Sequence, residues 1–314
     1  MTPWINKPIP FNIGQGAAAG AAPGATKWYG DRGLCFGGGG YTNVIEKISI
    51  PSEGDASNFG DLLSATNWVS RQCASNNDRI VIMGGVTSSV DALDVIQFVN
   101  PASDSDASDF GDLLLGLRGI GGCSNGTRGL SMGGDEADYT DSDVIQYFTI
   151  DTEADAQDFG NLVVGQGFCG AISNETYGLC AGGEATLNDI SYVTIDTAAD
   201  AADFGNLSAG RRHPAPVGNG TRGVWGGGNA PSQSNIIDFV EIETPGNASS
   251  FGDLEAAYGA MASCDNNERG VFMGGDSGGA QTLMQFIEVD TESNSSTFGD
   301  LTTATSSFGG GSGD

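Results

Sequence analysis

Phe298-Gly299-Asp300-Leu301 is followed by Thr302-Thr303-Ala304-Thr305 and then by Ser306-Ser307-Phe308-Gly309-Gly310-Gly311-Ser312-Gly313-Asp314, where the sequence ends. The tetrapeptide Phe-Gly-Asp/Asn-Leu also begins at Phe59, Phe110, Phe159, Phe204 and Phe251, at intervals of 45 to 51 residues. A second marker runs in phase with it: Arg-Gly, three mostly apolar residues and Gly-Gly. It reads Arg128-Gly129-Leu130-Ser131-Met132-Gly133-Gly134 in one copy and recurs from Arg32, Arg222 and Arg269, with looser copies from Arg79 and Tyr177. In the internal copies a small-residue stretch such as Gly121-Gly122-Cys123-Ser124 leads straight into the Arg-Gly run. The last such stretch, residues 306–313, has no run after it. Its missing continuation is Asp31-Arg32-Gly33-Leu34, near the start of the chain. Two markers keeping one period over six copies define a repeated supersecondary unit.

Each unit reads as four short strands. In the third copy, Gly129-Leu130-Ser131-Met132 ends at the Gly-Gly turn, and an acidic loop leads to Val144-Ile145-Gln146-Tyr147-Phe148-Thr149-Ile150, rich in β-branched and aromatic residues. A turn then precedes the edge segment around Phe159-Gly160-Asn161-Leu162, and small residues 167–174 supply the remaining strand. The apolar residues alternate or cluster in short runs, without the helical period. A lone four-stranded sheet with two partly apolar faces cannot bury both. Six of them stacked around an axis can, leaving only short, protected edges, and the strand nearest the axis must then be small. The pattern therefore predicts an all-β, six-bladed β-propeller over residues 28–314, with repeats near 31–76, 77–125, 126–174, 175–219, 220–266 and 267–314. The first blade takes three strands from residues 33–64 and its innermost strand from 306–313, placing Leu34 and Phe308 in one sheet and closing the ring. An open array would need polar capping repeats, and none is evident.

Composition narrows the function. Forty acidic against 12 basic residues give a net charge of −28, which repels phosphate backbones and anionic lipid. No nucleic-acid partner and no membrane insertion are expected, and no 18-residue apolar run exists. The start, Met1-Thr2-Pro3-Trp4-Ile5-Asn6-Lys7, lacks the profile of a secretory signal. The six cysteines, Cys35, Cys73, Cys123, Cys169, Cys180 and Cys264, show no CxxC spacing and read as buried free thiols.

The Gly-Gly after a hydrophobic strand, the Asp/Asn-Val/Ile-Ile strands and the period together resemble kelch repeats, over residues 31–314. The usual Tyr and Trp after the double glycine are missing, and the Phe of Phe-Gly-Asp-Leu takes the Trp place. The variant with Arg269-Gly270-Val271-Phe272-Met273-Gly274-Gly275 and Gly246-Asn247-Ala248-Ser249-Ser250-Phe251-Gly252-Asp253-Leu254 is similar to repeat proteins of bacteriophage virions, especially phages of marine bacteria and cyanobacteria. The resemblance implies a kelch-like propeller in a virion structural protein, tail- or fibre-associated or on the capsid surface. Its implied partners are other virion proteins and a host-surface glycan or receptor.

Candidate sites are few. The single histidine, His213, sits in Arg211-Arg212-His213-Pro214, the only cationic cluster, and cannot by itself assemble a nucleophilic or metal centre. No catalytic and no cofactor-binding residues are assigned. The loop Asp135-Glu136-Ala137-Asp138-Tyr139-Thr140-Asp141-Ser142-Asp143 and, more weakly, Asp104-Ser105-Asp106 offer oxygens for Ca²⁺, but neither has the ligand order of a known Ca²⁺ loop, so solvated turn carboxylates are the preferred reading. The Asp/Asn interchange in Phe-Gly-Asp/Asn-Leu favours an Asx turn over acid–base chemistry. The recurring Arg32, Arg79, Arg128, Arg222 and Arg269 read as scaffold pairs. Residues 1–27 stand outside the repeat: an apolar segment bearing Trp4, Ile5, Ile9, Phe11 and Ile13, then a Gly/Ala run, suits docking onto another chain, or equally packing across the rim. The leading expectation is a non-enzymatic propeller displayed on a phage particle for assembly and host contact, its binding face built from loops 86–94, 135–143, 184–189, 229–235 and 276–282. An intracellular kelch-type adaptor and a surface-glycan hydrolase are the alternatives.

Overall fold

The structure is a computed structural model that describes residues 30–184, 187–229 and 231–313. The expected docking residues Trp4, Ile5, Ile9, Phe11 and Ile13 lie outside the described residues. Six four-stranded antiparallel sheets form the blades of a β-propeller. Blade I closes the ring. Gly309–Gly313 pairs antiparallel with Arg32–Phe36, setting Leu34 opposite Gly311 and Phe36 opposite Gly309, and Thr42–Ser49 and Ser57–Thr66 follow outward. Phe308 immediately precedes the closing strand and packs with Cys35, Met273 and Leu301 between the first and last blades. Every blade thus draws its inner strand from one repeat and its other three strands from the next. In blades II to VI the inner strands are Ala74–Ser75, Gly121–Ser124, Gly170–Ser173, Ala215–Gly218 and Ala262–Asp265.

The apolar core falls into six clusters, one in each gap between neighbouring blades, including the gap between blades VI and I. The hydrophobic effect that no single sheet could satisfy is satisfied six times over by stacking. All six cysteines are buried free thiols in or beside these gaps.

The repeated tetrapeptide explains how neighbours dock. Its Asp/Asn does not form the expected Asx turn. The motif lies inside the outer strand at a β-bulge, where the pairing register shifts. Its backbone N–H donates to an Asx side chain in the turn of the next blade: Asp61 to Asp106, Asp112 to Asp155, Asn161 to Asp200, Asn206 to Asn247, Asp253 to Asn294 and Asp300 to Asp55. The glycine before it leaves room for that turn. A Cβ on Gly205 would stand 2.3 Å from the carbonyl oxygen of Gly246.

The recurring arginines form a second belt. Arg32, Arg79 and Arg128 donate to the carbonyls of Pro101, Ile150 and Ile195 in the following blade, and Arg269 reaches Pro51 across the closure. Four guanidinium groups also lie 4.4 to 4.6 Å above an aromatic ring of their own blade, at Phe98, Tyr147, Phe239 and Phe286. Arg222 reaches Glu292 in the following blade, so each of the five is a clamp between blades.

Candidate functional site

The six strands nearest the axis are entered through one equivalent residue each: Trp68, Gly119, Phe168, His213, Ala260 and Ser307. All six have left-handed backbone, with φ between 54° and 65°. The sharp turn lets the chain cross from the rim of one blade to the axis of the next, and main-chain hydrogen bonds pass from copy to copy. Ser307 donates to Ala260, Trp68 to Ser307, Gly119 to Trp68 and His213 to Phe168. Here the repeat stops being a repeat. Three positions are small, and three carry rings that meet over the channel. Trp68 stacks on His213 with centroids 4.8 Å apart, and Phe168 lies 4.6 Å from His213 and edge-on to Trp68 at 4.9 Å.

Blade II also carries an insertion. From Gly119 to Ser124, and between the equivalent residues of every other blade, five steps separate the left-handed residue from the inner-strand residue that pairs with the position after the recurring Arg or Tyr177. From Trp68 to Ser75 there are seven. The two extra residues shorten the regular strand to Ala74–Ser75 and throw Arg71 and Gln72 toward the axis. Arg71 is only 1% exposed. Its Nη1 donates to the Met261 carbonyl at 3.3 Å, its Nη2 contacts His213 Nδ1, and its guanidinium carbon lies 5.2 Å from the Trp68 centroid. Burial lowers Arg71 to about 9, so it stays charged at neutral pH. His213, 3% exposed, is held well below the usual imidazole range, first by burial and then by Arg71 and Arg212. A neutral imidazole with Nδ1 accepting from Arg71 carries its proton on Nε2. His213 is a structural acceptor sealed beneath Trp68.

The cationic cluster around it is dispersed by the fold. Arg211 is fully buried, paired with Asp238 at 3.0 Å and donating to the Trp225 carbonyl. Arg212 turns to the surface and meets Glu184 at 2.8 Å.

Beside the plugged mouth lies the acidic loop of blade III. Arg118 pairs with Asp135 at 3.1 Å, and its guanidinium carbon lies 4.1 Å from the ring centroid of Tyr139, which is 71% exposed. Asp141 is bridged to Asp135 through the main chain, its side-chain Oδ1 is buried without a hydrogen-bond partner, and its pKa is raised to about 6 by partial burial, by the neighbouring Asp135 and by the charge of Glu184. A Cβ on Gly167 would come within 2.2 Å of Asp141 Oδ1. Asp138 takes the Thr140 amide in a local turn. Within the loop, Asp135 is thus held by Arg118 and Asp138 by the Thr140 amide. Among the described residues no three His, Cys, Asp or Glu side chains converge as a metal site.

Four of the five loops expected to form a binding face are anchored, in their described residues, on the plugged side. Bridges join Asn67 to Val86, Arg118 to Asp135, Arg212 to Asn229 and Gly259 to Asp276, each tying a blade crossover to one of these loops. Trp68 and Arg71 were missed by the sequence reading, although the seven-residue spacing was available there. No family model and no curated protein matches the chain.

Proposed function

We propose that this propeller is a non-enzymatic recognition module of kelch-like type, carried on a phage particle, attached to other virion proteins through its N-terminal segment, and contacting a host-surface glycan with the plugged face. The supporting observation is the exposed Tyr139 ring backed by Arg118, with the half-buried Trp68 nearby and the Arg212–Glu184 pair on the same face. A flat aromatic surface flanked by fixed hydrogen-bonding charges is suited to the alternating apolar and hydroxyl faces of a sugar ring. The virion setting rests on the sequence resemblance alone.

The test is binding of the purified full chain to host envelope polysaccharide, compared with Tyr139→Ala at unchanged Tm. A tenfold or greater loss of affinity, about 1.4 kcal/mol, is expected. Unchanged binding removes the face from consideration, and release of free sugar from the polysaccharide overturns the non-enzymatic reading.

A further inference from the structure

The opposite end of the axis is built differently. Its equivalent positions, where each inner strand pairs with the residue after the recurring Arg or Tyr177, are Ser75, Ser124, Ser173, Gly218, Asp265 and Ser312. Ser124 Oγ donates to the Ser75 carbonyl at 2.7 Å and accepts the Ser75 amide at 3.1 Å, and Ser173 repeats both bonds on Ser124 at 2.6 and 3.1 Å. The hydroxyl hydrogens are thus committed to the neighbouring blade. What Ser124 and Ser173 have left to offer is a lone pair each.

Asp265 takes the serine's place in blade VI. Its Oδ2 accepts the Gly218 amide at 3.0 Å, as a serine oxygen would, and also Gln72 Nε2 at 3.0 Å. Both bonds fall on Oδ2. Asp265 is 6% exposed, and among the described residues no cationic side chain pairs with it, because Arg71 points to Met261 and His213 instead. A buried carboxylate without a positive partner is costly, and a serine would have served the belt without that cost. It lines a cavity of about 30 Å³ together with Gln72, Ser75, Ser124, Ser173 and Ser312. That space accommodates one or two water-sized occupants.

We infer that this axial cavity is a binding site for one small monovalent cation such as Na⁺ or K⁺, held by the Asp265 carboxylate and the serine lone pairs. A single carboxylate balances a single charge. A divalent ion such as Ca²⁺ takes six to eight oxygens and usually several carboxylates. The inference is independent of the glycan reading, which concerns the other face.

Burial pushes Asp265 up to about 7, opposed by the Gly218 and Gln72 hydrogen bonds. Protons therefore compete with the cation. The other titratable groups packed there are thiols: Cys73 and Cys123 line the cavity, both raised to about 12, and the adjacent Cys264 is raised well above its ordinary value, so all three are neutral.

The experiment is thermal unfolding of the full chain in sodium, potassium or tetramethylammonium chloride at equal ionic strength. Screening of the −28 surface is common to all three salts, so the difference between small and large cations isolates the site. At pH 8 we expect a saturable Tm rise of about 2 °C or more for Na⁺ or K⁺ over tetramethylammonium. The difference disappears in Asp265→Ser, which restores the belt's usual hydroxyl. Asp265→Asn serves if that variant does not fold. Sodium-23 line broadening that is present in the wild type and lost in the variant gives a second readout. Coincident curves at pH 8, or a difference that survives in both variants, would each overturn the assignment.

Discussion

The rim of this molecule and its axis obey different rules. At the rim, all six copies of the bulged outer strand offer the same main-chain N–H to the same kind of side chain in the next blade, and the glycine ahead of it faces the next blade's backbone every time. At the axis, six equivalent left-handed positions hold Trp, Gly, Phe, His, Ala and Ser. The same geometric slot recurs in both places, but only at the rim does a change of side chain collide with a neighbour's backbone. Ring closure therefore constrains the rim six times and leaves the axis free to diverge. Divergence at one end produced an aromatic plug over a buried cation, and at the other a carboxylate facing a cavity.

The largest expected effect comes from breaking the circle itself. Removing residues 306–313 deletes the inner strand of blade I, strips Phe308 from its cluster with Cys35, Met273 and Leu301, and leaves Arg32–Phe36 as an unpaired edge. Loss of the cooperative melt or aggregation is expected. A truncated chain that melts like the full length would show that the closing strand is dispensable.

A smaller and sharper test contrasts two single substitutions. Gly205→Ala at the rim forces a Cβ to 2.3 Å from the Gly246 oxygen at a backbone φ of 147°. A destabilisation of about 2 kcal/mol or more is expected in urea unfolding. Ser307→Ala at the axis keeps φ 65° and the main-chain bonds to Ala260 and Trp68, at a slot that alanine already fills in blade VI with φ 54°. Its cost is expected within about 0.5 kcal/mol. Equal costs would erase the distinction between rim and axis.

The sequence made the rim legible and the axis opaque, for one reason. Phe-Gly-Asp/Asn-Leu and Arg-Gly recur because each serves an interface that occurs six times, so periodicity reports them directly. The same logic located the closure between residues 306–313 and the strand bearing Leu34. It misassigned the Asp/Asn, because a position whose main chain does the bonding tolerates either side chain just as an Asx turn does. The axis has one copy of each feature, so nothing in the period marks Arg71, Gln72 or Asp265. Their signals were a two-residue excess after Trp68 and an acid where four of the other five blades carry serine. Arg211-Arg212-His213, contiguous in sequence, was separated by the left-handed crossover before Ala215–Gly218 into a buried ion pair, a surface pair and a plug.

The mildest prediction concerns protons at the two ends of the axis, which are linked to folding with opposite signs. His213 is neutral in the folded chain well below its ordinary range, whereas in the unfolded chain it gains a proton near pH 6.5. Below that pH the unfolded state binds the extra proton, so this residue lowers stability by up to about 1.4 kcal/mol per pH unit as acid is added. Asp265, raised to about 7, keeps its proton in the folded chain between roughly pH 4 and 7 while the unfolded chain loses it. In that window its contribution grows as pH falls, and Asp141, raised to about 6, acts in the same direction. From pH 6.5 to 5.5 the two ends therefore oppose each other. His213→Asn, whose amide tolerates left-handed backbone and does not titrate, removes one side of the balance. Measured by urea unfolding in tetramethylammonium chloride, the variant should gain stability on acidification more steeply than the wild type, by about 1 kcal/mol over that unit. Parallel slopes would mean that the imidazole takes up its proton without leaving the plug, and the sealed, neutral acceptor beneath Trp68 would have to be abandoned.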